Sequence, residues 1–114
     1  MIDTDRLQSY MTELRRGSWI LVVLGALQKP FYGYALLQVL QEQGIDIEAN
    51  TLYPLMRRLE SQGLLTSHWD TTETRPRKFY VISEEGTSLL QILLEEWHKL
   101  QKQITAIVSP IEIS

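Results

Sequence analysis

One stretch decides the fold: residues 49–63 read ANTLYPLMRRLESQG. Its apolar residues recur at the spacing i, i+3, i+4, i+7, the pattern of a helix with one buried face. They are Leu52, Leu55, Met56 and Leu59. Gly63 follows as a typical helix stop. The pattern therefore predicts a helix over about 49–62, capped at either Asn50 or Glu48.

The chain before this stretch predicts three more helices. A first helix, capped by Thr4, is expected to bury one face. That face consists of Leu7, Tyr10, Met11 and Leu14. An almost wholly apolar helix follows over 19–27 and ends before Pro30, because the residue preceding a proline is pushed out of the α region. A short helical segment then begins near Gly33 and ends at Gly44.

After residue 63 the apolar period changes from 3.6 to 2, which predicts strands. Two alternating runs, 65–69 and 78–82, flank a polar, partly basic stretch. They predict a β-hairpin over about 65–82. Ser83 then caps a final helix. Its apolar residues alternate in spacings of 3 and 4, a heptad seam that predicts a partner helix: Leu90, Leu93, Trp97, Leu100, Ile104 and Ile107.

This order of elements is that of a winged helix-turn-helix. The predicted class is α+β and mainly helical, with an N-terminal helix and a C-terminal dimerisation helix. We expect a DNA-binding domain over 1–83 and a dimerisation helix with its tail over 84–114. In this architecture the recognition helix, here about 49–62, enters the major groove, and the hairpin or wing lies beside the backbone.

The net charge of −3 disfavours a nucleic-acid binder, but the distribution of charge does not. Residues 48–82 carry five basic and four acidic groups, whereas the acidic excess lies in the tail. All five basic groups fall on the predicted recognition helix and wing: Arg57, Arg58, Arg75, Arg77 and Lys78. The three on the wing suit phosphate contact, which gives affinity and salt dependence without sequence information.

Other predicted DNA contacts lie near the start of the recognition helix. Asn50, Thr51 and Tyr53 lie off its apolar face, and recognition helices contact bases with their N-terminal residues. Arg15 and Arg16 either contact the DNA backbone or only solvate the first helix, and the sequence favours neither interpretation.

Three stretches carry a resemblance to a known family. They are Tyr32-Gly33-Tyr34-Ala35-Leu36, residues 51–64 (TLYPLMRRLESQGL) and residues 77–86 (RKFYVISEEG), and residues 14–17 (LRRG) add to them. In order and spacing they resemble the PadR family of transcriptional regulators, over roughly residues 15–90. The resemblance implies a DNA-binding regulator, commonly a repressor, that dimerises through its C-terminal helix and can respond to a small molecule.

Two departures limit that resemblance. The family's frequent His-Gly-Tyr stands here as Tyr32-Gly33-Tyr34, so no role of the histidine transfers. The chain also has a single helix after the wing, as in the short subgroup of the family. Trp97 is first a core or dimer residue, although two such indoles facing each other could stack a flat aromatic effector.

Other classes of function are disfavoured. The chain has no cysteine, and its longest apolar run is about half of a membrane span. One Glu95/His98 pair is too little for a metal site. We expect no cofactor and no catalysis. The acidic start disfavours secretion and predicts a cytoplasmic protein. The sequence thus predicts a homodimeric regulator that binds an inverted-repeat operator in double-stranded DNA; the alternative is a winged-helix adaptor that binds proteins.

Overall fold

A computed structural model of the chain describes residues 1–109. It contains five helices and three strands in the described range. In chain order they are α1 (Thr4–Arg16), α2 (Trp19–Ala26), β1 (Phe31–Tyr32), α3 (Gly33–Glu42), α4 (Ala49–Ser61), β2 (Leu65–Asp70), β3 (Arg77–Ile82) and α5 (Glu84–Val108). The mainly helical winged-helix prediction is confirmed. Residues 110–114, the end of the predicted C-terminal segment, lie outside the described residues.

Helices α2, α3 and α4 pack around one apolar core. The predicted helix of the deciding stretch is present, and its cap is Glu48 rather than Asn50. It remains one continuous helix through Pro54. Its residues Leu52, Met56 and Leu59 are fully buried, and Leu55 is half-buried. The remaining buried residues of the core are Val23, Leu24, Leu27, Leu36, Leu40, Ile47, Leu65 and Leu90.

The wing belongs to a three-stranded antiparallel sheet with the order β1-β3-β2. Strands β2 and β3 pair from Leu65↔Ile82 to Asp70↔Arg77. The two-residue strand β1 was not predicted, because a strand this short has no detectable periodicity. It pairs Phe31 with Tyr80 and Tyr32 with Phe79 on the other side of β3. The hairpin is therefore joined directly to the start of α3.

The N-terminal helix differs from its prediction in two ways. Its cap is Asp3, not Thr4, because the Asp3 carboxylate accepts a hydrogen bond from the Arg6 amide at 2.8 Å. The predicted apolar face also exists, but it is not buried within the chain. Leu14 is 82% exposed, and Leu7 and Tyr10 are exposed as well. Met11, the fourth residue of the face, is half-buried, so the chain itself covers this face only in part.

Helix α5 has two different halves. Its first turns pack on α2, and Leu90 is buried in the core. The assignment of Leu90 to a partner helix was therefore wrong, because its own domain already covers it. Leu93 is half-buried. The rest of the predicted seam is exposed, with Trp97 at 42% and Ile107 at 76%, and Leu100 and Ile104 lie between these values.

Candidate nucleic-acid interface

Four of the polar side chains predicted to contact DNA are exposed on the outward face of α4. Asn50 and Thr51 lie in its first turn, and Arg57 and Arg58 lie one to two turns further on. Within residues 1–109 neither guanidinium takes part in an ion pair. Since the opposite face of α4 is fixed in the core, these groups are held on a rigid support and remain available to a partner.

Tyr53 occupies a different position from these four. Its side chain is half-buried and packs on the start of α3, where a Cβ on Gly33 would lie 3.4 Å from the ring. Glycine at this position lets the aromatic ring approach the backbone closely. Tyr53 therefore contributes to packing between the two helices of the helix-turn-helix motif, and only part of its ring faces outward.

The side chains of Arg16 and Arg15 face different parts of the structure. Arg16 lines a groove of 370 Å³ together with Thr51 and Arg58 of α4. Arg15 instead faces the loop before α4, where its guanidinium lies 3.9 Å from the Asp46 carboxylate. The fold thus brings Arg16, and not Arg15, to the groove beside the recognition helix.

The three basic residues of the wing are also in different environments. Arg75 is exposed in the loop over 71–76, as predicted. Lys78 lies in β3, and Arg77, expected in the polar stretch between the two runs, also belongs to β3 because the ladder continues to the Asp70↔Arg77 pair. The Lys78 ammonium lies 3.3 Å from the Glu60 carboxylate. Ser67 also donates to Glu60, and this bond, together with Lys78, lowers the pKa of that carboxyl.

Arg77 is surrounded by groups of its own chain. Its guanidinium carbon lies 4.3 Å from the centre of the Tyr32 ring. One guanidinium nitrogen donates to the Tyr34 hydroxyl at 2.9 Å, and the other lies 3.1 Å from the Glu73 carboxylate. The Tyr32 hydroxyl in turn donates to Asp70 at 2.5 Å. The sequence analysis assigned no site role to Asp70 or Tyr32, although extending the predicted hairpin by one pair would have indicated the Asp70–Arg77 pairing.

Asp70 is held as a carboxylate by three hydrogen bonds. The Tyr32 hydroxyl contributes most, followed by the side-chain hydroxyl and the amide of Thr72. Together they lower the pKa of Asp70 from 3.8 to about 2, since hydrogen bonds to the charged form favour it. The same bond raises the pKa of Tyr32, because ionised tyrosine could not donate to the carboxylate.

A second feature of the surface lies at Trp97. Its indole lines a cleft of 560 Å³ between α2 and α5, together with Leu21, Val22, Gly25, Leu90 and Leu94 among others.

In the described part of the chain, no cluster of three or more His, Cys, Asp or Glu residues could hold a metal ion. Nor does any described helix have the length and apolar character to cross a membrane.

Comparisons with known proteins agree with this geometry. Residues 20–92 match the Transcriptional regulator PadR-like family. Transcriptional regulator Rv3488 of Mycobacterium tuberculosis is 33% identical over 81 residues, which are 70% of this chain and 76% of that protein. The crystal structure of a PadR family transcriptional regulator from Eggerthella lenta is 49% identical, with a TM-score of 0.87 over 91% of this chain and 93% of that one.

A more distant solved structure has the same fold. It is a PadR family transcription regulator from Clostridium difficile, 25% identical, with a TM-score of 0.73 over 81% of this chain and 99% of that one. Both the family match and the first of these structures include the recognition helix, the wing and the start of α5. The chain therefore belongs to the PadR-like family of transcriptional regulators.

Proposed function

We propose that this regulator is a cytoplasmic repressor that binds an inverted-repeat operator as a homodimer. Helix α4 enters the major groove, and the wing lies along the flanking backbone. The observation that carries the proposal is the exposed Arg57–Arg58 pair on a helix whose other face is anchored in the core. A cation on a rigid element can be aligned with a base edge or phosphate at little entropic cost.

The roles of the individual residues follow from where their side chains lie. Asn50 and Thr51 are suited to base edges because they occupy the exposed first turn of α4. Arg57 is exposed further along the helix and is suited to a base edge or a phosphate. Arg58 and Arg16 share a groove and are suited to one phosphate segment. Arg75 contacts phosphate from the wing loop. Lys78 contacts phosphate only through the part of its ammonium that Glu60 leaves accessible. Tyr53 contacts the DNA through its hydroxyl.

The homodimer is supported by two exposed apolar surfaces. On α5 the surface consists of Trp97, Leu100, Ile104 and Ile107, with the half-buried Leu93 next to them in the seam, and on α1 it consists of Leu7, Tyr10 and Leu14. Soluble monomers rarely leave apolar stripes of this extent in water. Burying both against a second copy would explain why most of the periodic face of α1 is exposed within its own chain.

A small flat aromatic effector fits the same region. The cleft between α2 and α5 is largely apolar, and the Trp97 indole forms one wall. A ligand stacked there would touch the dimer surface and could change the separation of the two recognition helices. Quenching of tryptophan fluorescence by planar aromatic compounds should then be reduced by Trp97→Phe.

The experiment that tests the function is selection of duplexes from a random DNA pool by the purified protein. We expect an enriched inverted repeat whose half-sites lie about 34 Å, one helical turn, apart. Titration with salt should give a log-log slope of roughly −5 to −7, equivalent to six to eight phosphates per dimer. Arg57→Ala should abolish enrichment without unfolding the protein. Failure of the wild type to enrich any sequence, with or without aromatic compounds, would instead favour a protein-binding winged helix.

A further inference from the structure

We propose that Tyr32, Asp70 and Arg77 form a clamp that fixes the wing relative to the recognition helix, so that Arg77 is a positioning residue rather than a phosphate contact. The proposal rests on the DNA-binding function proposed above and refines it. Arg77 is thereby moved from phosphate contact to positioning. Tyr32 and Asp70, which carry no positive charge, join the residues on which DNA binding depends.

The clamp lies at the end of the hairpin, where β2 and β3 meet the loop. Asp70 and Arg77 are cross-strand partners at the last pair of the β2–β3 ladder. The two opposite charges nevertheless form no direct ion pair within the described chain. Both groups instead contact Tyr32. The Arg77 guanidinium lies over the Tyr32 ring, 4.3 Å from its centre, and the Asp70 carboxylate accepts a hydrogen bond from the Tyr32 hydroxyl at 2.5 Å.

The remaining donors of Arg77 are directed to the same region. Tyr34 accepts one hydrogen bond from it, and Glu73 forms an ion pair across the loop. Two of the five donors and one face of the guanidinium are therefore engaged within the chain. Tyr34 itself lies parallel to Tyr32, with ring centres 6.0 Å apart. An arginine held in this way is poorly placed to reach a phosphate as well.

The clamp joins the two DNA-facing parts of the domain. Tyr32 belongs to β1 and is the residue immediately before α3, whose start is covered by Tyr53 of α4. A short path therefore leads from the wing through Tyr32 and Gly33 to the recognition helix. Since backbone contacts set the orientation of a protein on the duplex, a fixed wing would place Arg75 at the correct phosphate when α4 is in the groove.

A first test needs no DNA. Amide hydrogen exchange of the free full-length protein should become roughly fivefold faster or more in the wing loop and adjoining strand ends on Tyr32→Phe or Asp70→Asn, because each removes the charged hydrogen bond. The matched control is Asp46→Asn, at an exposed position outside the clamp. Unchanged wing exchange in both clamp variants would overturn the proposal.

The second test uses the sign of a charge effect. Asp70→Asn removes a negative charge from a DNA-facing element, so electrostatics alone would tighten binding. A clamp predicts the opposite result: affinity for the selected operator should fall roughly tenfold, and Asp46→Asn should bind as tightly as the wild type or more tightly. Tyr32→Phe combined with Asp70→Asn should weaken binding no more than either change alone. Tighter binding by Asp70→Asn would overturn the clamp.

Arg77→Lys separates positioning from phosphate contact. The lysine keeps the charge but loses the planar stack on Tyr32 and the forked donors. Operator affinity should therefore fall as in Asp70→Asn, and full retention of affinity would return Arg77 to the role of a phosphate contact. If the wild-type protein selects no duplex, the proposed function fails, and the exchange measurement still decides whether the clamp exists.

Discussion

The carbonyl oxygen of Leu64 lies 2.1 Å from the point where a Cβ on Gly86 would stand. The first turn of α5 thus crosses the backbone between α4 and β2 at a distance that only glycine permits. Ser83 secures the crossing, since its amide donates to the Leu64 carbonyl and its hydroxyl to that of Gly63. A glycine that looks unfavourable in the first turn of a helix is explained by this contact.

Gly86→Ala should therefore destabilise the protein. Alanine is otherwise the better helix former, but here the methyl group would overlap a backbone oxygen and force α5 to move, at about 2 to 3 kcal/mol. The control is Gly25→Ala in α2, where nothing lies within 4 Å of an added Cβ. That variant should gain up to about 1 kcal/mol. Urea unfolding at fixed protein concentration compares the two, and equal stabilities would contradict the crossing.

Elements with strong periodicity could be predicted from the sequence. The deciding stretch became α4 within a residue at each end, and the hairpin and the long final helix also followed from their apolar spacing. Helix α4 buries one face in the core and the first turns of α5 pack on α2, so for these parts the physical reason for the pattern is visible in the chain itself. The residues of α4 that we propose to contact DNA could be selected because they are excluded from that buried face.

The features that escaped prediction depend on contacts between distant residues. Strand β1 exists because Tyr32 meets Phe79, and a two-residue strand has no pattern of its own. The clamp likewise joins residues separated by 38 positions. The face of α1 was correctly identified as apolar, but periodicity does not say whether the cover comes from the same chain or from another.

Substitution of Arg16 should lower the salt dependence of operator binding, whereas substitution of Arg15 should not. Arg16 shares a groove with Arg58 and Thr51, but Arg15 is directed toward Asp46. Losing one phosphate contact per protomer should reduce the magnitude of the log-log slope by about 1.8 per dimer. Fluorescence anisotropy of labelled operator at several salt concentrations measures this slope. Equal slopes for Arg16→Ala and Arg15→Ala would contradict this assignment.

Charge in the exposed seam of α5 should prevent dimerisation. In Leu100→Asp or Trp97→Asp, a carboxylate would have to be desolvated in an apolar interface, which is costly without a partner. Sedimentation should then give the mass of one chain. Thr105→Asp introduces the same charge on the same helix, outside the heptad seam, and should remain dimeric. A dimer of Leu100→Asp at micromolar concentration would place the interface elsewhere.

The ring and the hydroxyl of Tyr53 should have separable effects. Tyr53→Ala removes the ring that covers Gly33, and we expect a loss of about 2 kcal/mol in unfolding free energy because the side chain is half-buried. Tyr53→Phe keeps the ring and should retain stability, but it should weaken operator binding about fivefold if the hydroxyl contacts DNA. Operator affinity unchanged in Tyr53→Phe would restrict Tyr53 to packing.

The titration of Asp70 should report the bond from Tyr32 directly. In the wild type its carboxyl carbon should titrate with a pKa of about 2, and Tyr32→Phe should move that pKa back toward 3.8, because the hydroxyl is the main cause of the shift. A pKa lowered by folding stabilises the protein fully above the unfolded value, and the contribution disappears as the pH falls through the folded value. The stability difference between wild type and Tyr32→Phe should therefore be constant above about pH 5 and should vanish toward pH 2. Carbon-detected NMR measures the pKa of Asp70, and denaturant unfolding at several pH values measures the stability difference. An Asp70 pKa that is the same in both proteins would show that the bond to Tyr32 does not form in solution.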